Sequence, residues 1–405
     1  MNPGGGRRHP EAVAIIVLAQ WLGTSLWFSP SGAVTDLSQW LSLDAGGFGW
    51  LLAATQLGFI VGTLVSALIG AADRFAPERI FAVSSIVGAI LNCFWIWTDP
   101  SFGTAWMARF GVGVALAGIY PMGMKMIVQR TGGKPGSALG WLVAMLTLGT
   151  AMPQILRFAG ASLPWHSVIL GASVLAVVGA VLILLIQKPN TSRPAAPGPR
   201  IPGSKPLTTL LALPSFRSSC AGYLGHMWEL YAFWSVVPVL SLHLVSSQNN
   251  DSSVAGLSAA VIAAGSIGCV VGGLLSRRIG SAPVAAIALA SSGAICIVYP
   301  LIPTEALFIK AAVLGMWGFF VVADSPQFSA MTAGYVPPRL VGTALTAQNC
   351  AGFLVTVVSI VLLQAGIAVW GDYAVWLLAP GPVLGLIAMR PLLALKRMSV
   401  PDPAR

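Results

Sequence analysis

Apolar residues dominate the chain in about a dozen long runs, and short polar segments that carry most of the charges separate these runs. A helix needs about 20 consecutive apolar residues to cross the hydrocarbon core of a bilayer, and most of the runs reach or approach that length. The pattern predicts an all-α polytopic membrane protein with twelve spans, at residues 12–34, 46–70, 80–98, 104–127, 136–158, 167–186, 216–245, 253–276, 283–303, 306–332, 341–368 and 373–395.

The longest polar segment, residues 187–215, is rich in Pro, Ser and basic residues, a composition typical of a linker. It divides the spans six and six, which predicts an N-terminal six-helix bundle at 1–186, a C-terminal bundle at 216–395 and a tail at 396–405. An internal echo supports duplication, since the chain reads GAADRFAPER after span 2 and GLLSRRIG after span 8. The two copies occupy the equivalent loop of each half, as a repeat of six spans requires.

The basic residues indicate the orientation of the chain. Of the 22 Lys and Arg residues, 19 fall on the side that holds both termini and the linker, while the loops of the other side carry acidic residues. The positive-inside rule places that basic side in the cytosol. We therefore predict a multi-pass protein of the cell inner (plasma) membrane with both termini cytosolic, and we interpret the net charge of +10 as a topology signal rather than a nucleic-acid surface.

The composition and the motifs exclude several classes of protein. With 8% charged residues, 56% hydrophobic residues and a mean hydropathy of +0.82, the chain is not an ordinary soluble domain. It has no GxxxxGK loop for ATP and no nucleophile–base arrangement, so we predict neither an ATP-driven pump nor an enzyme. Alternate methionines point to different helix faces, and we predict no metal site or cofactor at Met122, Met124 and Met126.

Two motifs resemble signatures of the major facilitator superfamily. The first follows span 2 and consists of Gly70, Asp73, Arg74 and Arg79. The second is in span 4 and consists of Arg109, Gly111 and Gly113. Together with twelve spans and a central linker, they make the chain similar to this family over nearly its full length. The resemblance implies two pseudo-symmetric six-helix bundles around a cavity lined by spans 1, 4, 7 and 10, a cytosolic gate at the first motif and a role for Arg109 in proton coupling.

A third signature of the same family, found in many of its antiporters, is incomplete here. It is a run of spaced glycines in span 5 that ends in Gly-Pro. Span 5 has Gly140, Gly149 and Pro153, but Met152 replaces the glycine before the proline. The resemblance therefore favours import over export.

Five strongly charged residues lie inside the predicted spans, away from their cytosolic ends. A charge at the bilayer centre costs at least about 2.5–3.5 kcal/mol, so such residues normally face a partner or a wet cavity. Four of the five fall on spans 4, 7 and 10: the set is Arg109, Arg157, Glu229, Lys310 and Asp324. We interpret Arg157, near the outer end of span 5, as a residue that snorkels to the interface.

Glu229 is the strongest candidate for a proton carrier. It lies near the middle of span 7 and three residues from His226, so the two side chains share a helix face and could exchange a proton. The structural alternative is a hydrogen-bonded carboxyl that joins helices.

Span 10 contains a second candidate group. Lys310, Trp317 and Asp324 fall on one helix face. Because Lys310 and Asp324 are about 21 Å apart along the axis, they cannot pair, and the stripe could form one cavity wall with charged ends. The alternatives are that Lys310 snorkels to the outer surface and that Asp324 caps a helix broken at Pro326.

Spans 1 and 4 add uncharged polar and aromatic groups that suit a small solute. Arg109 shares its face with Tyr120, although a purely structural role for this arginine is the alternative. We expect the substrate contacts to include Gln20, Trp21, Trp27, Tyr120, Trp317 and Lys310.

The leading hypothesis is a monomeric secondary transporter that works by alternating access and imports a small polar or anionic solute with protons. The predicted proton-coupling residues are Glu229, Asp324, Arg109 and His226. Two alternatives remain open. One is a proton-coupled efflux antiporter for hydrophobic compounds, and the other is a non-transporting receptor or assembly factor on the same fold.

Overall fold

The computed structural model describes residues 8–130, 136–160, 163–186, 206–245, 251–337 and 340–398, and these residues form helices and no strand. The first half contains α1 (Arg8–Thr24), α2 (Val34–Trp40), α3 (Ala45–Ile69), α4 (Ala71–Arg74), α5 (Pro77–Phe94), α6 (Phe102–Arg130), α7 (Gly136–Ala159) and α8 (His166–Leu185). The second half contains α9 (Pro206–Ala212), α10 (Pro214–Val245), α11 (Asp251–Ile279), α12 (Ser281–Val298), α13 (Leu307–Ala323), α14 (Ser325–Tyr335), α15 (Val341–Trp370) and α16 (Pro380–Met398). Short 3₁₀ segments lie at Ser29–Ala33, Trp95–Trp97, Tyr299–Leu301 and Gly371–Leu378.

Ten helical segments of the described chain are long and apolar enough to cross a membrane, or eleven when the bent pair Glu11–Thr24 and Ser29–Trp40 counts as one span. One of the ten, Val341–Ala394, has 54 residues and would be about 80 Å long as a single straight helix. A bilayer core is only about 30 Å thick. This segment contains α15 and α16, which the 3₁₀ segment Gly371–Leu378 separates.

The directions of α15 and α16 show that they are separate spans. Gln364, late in α15, bonds the carbonyl of Ser235, late in α10, so α15 runs parallel to α10. Gly381, at the start of α16, packs against Gly225 and Trp228 of α10, whereas Met389, midway along α16, packs against the earlier Gly222, so α16 runs antiparallel to α10. With these two helices counted separately, the described residues contain the twelve spans predicted from the sequence. We name the end of the bundle where α1 and α10 begin the linker face, and the opposite end the far face.

Two spans are broken rather than continuous. α1 ends at Thr24, and the chain bends by 53° before Ser29–Trp40 completes the span that was predicted as the unbroken segment 12–34. Pro30 lies at the start of the 3₁₀ turn, where its missing N–H costs no helical bond. Span 10 is interrupted at a single residue: α13 and α14 meet at Asp324, just before Pro326, and together form one candidate span, Leu307–Tyr335.

The two halves repeat the same hydrogen bond. Nε2 of Gln154 in α7 donates to the carbonyl of Ser31 at 2.5 Å, and Nε2 of Gln364 in α15 donates to the carbonyl of Ser235 at 2.8 Å. In each half the bond joins the fifth span to the first. Such matched contacts are what an internal duplication of six spans produces.

Close backbone packing recurs at matching glycines as well. A Cβ at Gly113 of α6 would collide with the carbonyl oxygen of Thr55 in α3, and a Cβ at Gly318 of α13 would collide with that of Val261 in α11. Small residues of this kind let membrane helices approach until their backbones touch. The contact joins the second and fourth spans of each half.

Helices of the structure extend into two of the predicted loop segments. The predicted linker 187–215 includes the helix α9, because Leu210 is buried with Phe216 and Val336 in a small apolar cluster. Residues 187–205 of that linker lie outside the described residues. The last span begins at Pro380 rather than at 373, since proline suits the first turn of a helix, and α16 extends to Met398 into the predicted tail.

The repeated sequence that follows spans 2 and 8, GAADRFAPER and GLLSRRIG, does not lie at equivalent helix ends. Gly70 ends α3 with a positive φ of 64°, a conformation that favours glycine. Gly273 lies inside α11, which continues to Ile279, and the positive φ falls at Gly280. The second copy differs because α11 is longer than α3.

Candidate functional site

Six buried aromatic side chains join the two halves midway along the spans. We call this cluster the aromatic plug, and it consists of Trp27, Phe28, Phe59, Tyr231, Trp234 and Phe353. The ring centroids of Phe59 and Phe353 are 4.4 Å apart, and those of Trp27 and Tyr231 are 5.7 Å apart. Because Trp27 and Phe59 belong to the first half and Tyr231 and Phe353 to the second, the plug holds the halves together.

Contacts between the halves continue from the plug to the far face. Gly256 of α11 packs against the ring of Phe158 of α7 near that face. Nearer the linker face, a Cβ at Gly140 of α7 or at Gly273 of α11 would meet no atom within 4 Å. We call the region between the halves on the linker side of the plug the chamber. The two halves still touch there, since Oγ of Ser266 in α11 donates to the carbonyl of Ala144 in α7 at 2.7 Å.

Glu229 is buried in α10 and held by two neutral donors. Nε1 of Trp317 in α13 donates to Oε1 at 2.7 Å, and Oγ of Ser292 in α12 donates to Oε2 at 2.8 Å. Among the described residues no Lys, Arg or His lies within ion-pair distance of this carboxyl. The three helices α10, α12 and α13 thus enclose an acid whose described partners carry no charge.

His226 pairs with Asp324 and not with Glu229. Its Nδ1 lies 2.8 Å from Oδ1 of Asp324, and both side chains are buried. The sequence places His226 and Glu229 on one helix face, but α10 packs that face against the broken span 10, where Asp324 is the nearer acid. The rings of Tyr223 and Phe328 pack near the imidazole, with centroids 5.9 and 5.7 Å away.

Arg109 is buried in the first half, where it binds the broken part of span 1. Its guanidinium donates to the carbonyls of Leu26 at 3.0 Å and Trp27 at 2.5 Å, and to Oγ of Ser29 at 3.1 Å and Oδ1 of Asn92 at 2.7 Å. Leu26 and Trp27 lie between α1 and the 3₁₀ turn, where the carbonyl of Leu26 accepts only a long backbone bond, 3.5 Å from the N–H of Ser29. Among its described partners none is a carboxylate, and the structure does not bring Arg109 to Glu229 or Asp324.

Polar groups without partners lie on the linker side of the plug. Both amide atoms of Gln20, and Nε1 of Trp21, are buried and have no hydrogen-bond partner among the described residues. Tyr120, half-buried in α6, lies within electrostatic range of Tyr223 and Tyr231 of the second half. These residues from both halves surround the chamber where a solute would need donors and aromatic surface.

The structure places Lys310 at the far face, away from this chamber. Its Nζ lies 2.5 Å from Oδ2 of Asp372 and 5.1 Å from the ring centroid of Tyr299. Nδ1 of His243 lies 2.8 Å from the other oxygen of Asp372. Lys310 is thus buried in an ion pair and neither snorkels to the surface nor lines the chamber. Of the other predicted contacts, Trp317 binds Glu229, and Trp27 belongs to the plug.

The predicted gating residues are at the linker face. Arg74 and Arg79 are exposed there, next to the turn at Gly70. The side chain of Asp73 lies outside the described residues. The sequence reasoning missed a buried ion pair close to them, in which Arg130 of α6 binds Glu78 of α5 at 3.0 Å.

The sequence reasoning also missed two neutral polar residues that bind the charged groups. Asn92 and Ser292 are buried in otherwise apolar runs of spans 3 and 9, and a polar side chain in such a run is a signal for an interhelical bond. Arg157, predicted at the interface, binds Asp36 at 3.1 Å. Within the described ranges no three His, Cys, Asp or Glu side chains converge on a metal position.

Comparison with known proteins identifies the fold and the family. The chain is 26% identical over 255 residues to the 3-(3-hydroxy-phenyl)propionate transporter of Escherichia coli (strain K12), a match that covers 61% of this chain and 60% of the relative. The match thus spans less than two thirds of the length of that curated relative.

Two solved structures of a bacterial homologue of the human lysosomal transporter Spinster share the fold. The inward-facing, unoccupied form has a TM-score of 0.66 at 14% identity and covers 96% of each chain. The inward-facing, occupied form also has a TM-score of 0.66, at 15% identity, and covers 99% of this chain and 100% of the other. Residues 13–360 match the family model described as Major Facilitator Superfamily, and the chain therefore belongs to this superfamily of membrane transporters.

Proposed function

We propose that this protein imports a small aromatic carboxylate together with protons, by alternating access of the central chamber to the two faces. The observation that supports proton coupling is the environment of Glu229, a buried acid with neutral partners in the described structure. An ionised carboxyl in such a place costs several kcal/mol, so the closed state favours the neutral acid.

The bonds of Glu229 suit both forms of the acid. Oγ of Ser292 lies 2.8 Å from Oε2 of Glu229 and 3.2 Å from the carbonyl of Leu289. The hydroxyl can therefore donate to an ionised Glu229, or turn its hydrogen toward Leu289 and accept the proton of the neutral acid. Proton uptake and release then require no rearrangement of the surrounding helices.

The other predicted coupling residues have distinct roles in this proposal. The pair His226–Asp324 is a second protonatable unit, located where span 10 is broken. Arg109 acts as a positioning residue, because it fixes the break in span 1 and with it the backbone of Trp27. Only the acids of the second half then exchange protons during the cycle.

The proposed substrate class comes from the chamber and from the relative. Unpartnered donors at Gln20 and Trp21 can bind a carboxylate or a phenol, and the rings of Trp21, Tyr120 and Tyr223 supply aromatic surface. The E. coli relative is a transporter of 3-(3-hydroxy-phenyl)propionate, which combines a carboxylate, a phenol and one ring. We propose an acid of this size and chemistry for the present chain.

The proposed orientation places the linker face in the cytosol, with both termini on that side and the protein as a monomer in the inner membrane. The positive-inside rule supports this placement, because basic residues concentrate at the linker face. In this orientation, opening of the chamber toward the linker face would release the imported substrate. Accessibility of terminal tags to an impermeant protease in right-side-out vesicles tests the orientation.

The central test is uptake of 3-(3-hydroxyphenyl)propionate into proteoliposomes with and without an inward proton gradient. We expect the wild type to accumulate the acid only with the gradient. Glu229→Gln should lose accumulation but keep counterflow exchange, because glutamine preserves the bonds to Trp317 and Ser292 without carrying a proton. The control is Arg217→Gln, at an exposed position early in α10. Unchanged gradient-driven accumulation by Glu229→Gln would remove this carboxyl from the mechanism.

A further inference from the structure

A cavity of about 90 Å³ lies on the far side of the aromatic plug, between the two halves. The first half contributes polar groups, and the second half contributes apolar ones. Its walls include Asp36, Gln154, Arg157, Val239, Leu242 and Val254. A cationic side chain thus faces an aliphatic wall across a small space that is separate from the central chamber.

The charged groups of this cavity form an ion pair that remains in reach of solvent. The guanidinium of Arg157 lies 3.1 Å from Oδ2 of Asp36, with 13% of the Arg157 side chain and 36% of the Asp36 side chain exposed. Asp36 keeps access to water, and a second carboxylate that takes its place leaves the more buried guanidinium paired. Another carboxylate can therefore replace Asp36 at small cost.

The position of Arg157 is fixed by its neighbours. Gln154, one turn earlier in α7, donates its amide to the carbonyl of Ser31 at 2.5 Å and ties α7 to the turn that precedes Asp36. Gly32 in that turn packs so closely on Pro153 that no Cβ would fit. Arg157 thus projects from a rigid junction, and its planar group can bind a carboxylate through two nitrogens.

We propose that this cavity is an entry subsite for the carboxylate of the substrate, in which Arg157 exchanges the carboxyl of Asp36 for that of the incoming acid. The inference rests on the proposed function, since it assumes an organic anion that arrives from the far side. A cavity of about 150 Å³ is needed for a benzene ring, so the present space accepts the carboxylate arm alone. The ring follows along Val239, Leu242 and Val254 when the halves part and the plug opens.

The test compares uptake from the two faces in right-side-out and inside-out membrane vesicles, with 3-(3-hydroxyphenyl)propionate as the probe. We expect Arg157→Gln to raise the KM for uptake from the far face by about tenfold, the loss expected for one charge-assisted bond, with Vmax nearly unchanged. The KM for transport from the linker face should stay at the wild-type value. Asp36→Asn should lower the far-face KM by about threefold, because the competing carboxylate is gone.

Arg217→Gln removes the same charge from the linker face and should change neither KM. An equal rise in KM in both vesicle types, or no rise in either, overturns the entry subsite while leaving the proposed function intact. A far-face KM for Asp36→Asn that is higher than that of the wild type also overturns it, because Asp36 would then assist binding. If the wild type transports no aromatic acid in either vesicle type, the proposed function and this inference both fail.

Discussion

The ring of Trp27 lies 5.7 Å from the ring of Tyr231, and these residues occupy equivalent positions in the two halves of the chain. Trp27 is four residues before Ser31 and Tyr231 is four residues before Ser235, whose carbonyls accept the two matching glutamine bonds. A contact between equivalent positions must lie close to the axis that relates the halves. The two halves thus touch at the axis that relates them, and the surrounding rings of the aromatic plug add to this contact.

Truncation of the plug should open the far side. Phe353 contacts Phe59 at 4.4 Å, Tyr231 at 5.2 Å and Trp27 at 5.6 Å, and aromatic pairs of this kind contribute about 0.5–1.5 kcal/mol each. In Phe353→Ala we expect the population to shift toward a far-side-open state. Spin labels at positions 38 and 253, in a background without the five native cysteines, should report a longer distance across the far face.

A matched control for the plug is Phe308→Ala, since Phe308 on α13 is 86% exposed and lies outside the plug. This variant should keep the wild-type distance distribution. If Phe353→Ala also keeps it, the aromatic plug does not hold the far side closed.

The guanidinium of Arg109 should be required for the thermal stability of the fold, and another positively charged side chain at this position should not replace it. The guanidinium satisfies two backbone carbonyls and two side chains at once, whereas a lysine ammonium has three donors and no planar fork. We expect Arg109→Lys and Arg109→Gln to lower the thermal unfolding temperature by similar amounts, because each leaves buried acceptors at a cost of about 1–3 kcal/mol apiece. Thermal unfolding in detergent, followed by tryptophan fluorescence, measures this.

The alternative role of Arg109 predicts a different pattern. If only the positive charge mattered, as in direct proton coupling, Arg109→Lys would keep both stability and gradient-driven uptake while Arg109→Gln would lose uptake. That result would contradict the assignment of Arg109 as a positioning residue.

The sequence was sufficient to predict the spans and most of the buried charges, because both follow from the cost of polar groups in lipid. Glu229 is predicted in this way, because a carboxyl in the middle of an apolar run is costly in the bilayer and usually has a functional role. Its partners Trp317 and Ser292 lie 88 and 63 residues away, and no local pattern connects them to it.

The wrong pairing of His226 has the same origin. Residues three apart share a helix face, but the neighbouring helix decides which side chain on that face meets which partner. Asp324 lies on span 10, 98 residues from His226 along the chain, and no local pattern connects the two. The break in span 1 was missed for a related reason: Pro30 suggests a kink, but the carbonyls that Arg109 binds are exposed by the three-dimensional path of the chain.

Gly318 packs so closely on Val261 that substitution by alanine should destabilise the protein. A Cβ at Gly318 would collide with the backbone carbonyl of Val261, and a backbone atom cannot turn aside as a side chain does. We expect Gly318→Ala to separate α13 from α11 and to reduce the amount of folded protein recovered from membranes, or to lower its unfolding temperature by several degrees. Size-exclusion profiles and thermal unfolding of the purified protein measure both effects.

Gly315, one turn earlier on the same helix, is the control for Gly318. No atom lies within 4 Å of a Cβ placed there, and alanine stabilises a helix relative to glycine by up to about 1 kcal/mol in water. Gly315→Ala should therefore match or exceed the wild-type stability. Equal behaviour of the two alanine variants would contradict the close packing of α13 on α11.

The buried pair His226–Asp324 should show strong coupling between its members. Removing one partner of a buried hydrogen-bonded pair leaves a buried polar atom without its partner and costs about 1–3 kcal/mol or more, whereas replacing both partners removes the two groups together. We therefore expect His226→Gln and Asp324→Asn each to lower the unfolding temperature strongly, and the double variant to be more stable than either single one. Additive losses in this cycle would show that the two side chains act independently.

The same double variant separates packing from proton transfer. Glutamine and asparagine can keep a hydrogen bond between α10 and the junction of α13 with α14, but neither exchanges a proton near neutral pH. If the pair is a second protonatable unit, the double variant should fold and perform counterflow yet accumulate less substrate per unit of proton gradient than the wild type. A double variant with wild-type accumulation would assign the pair to packing at the break in span 10 and leave Glu229 as the protonatable group of the cycle.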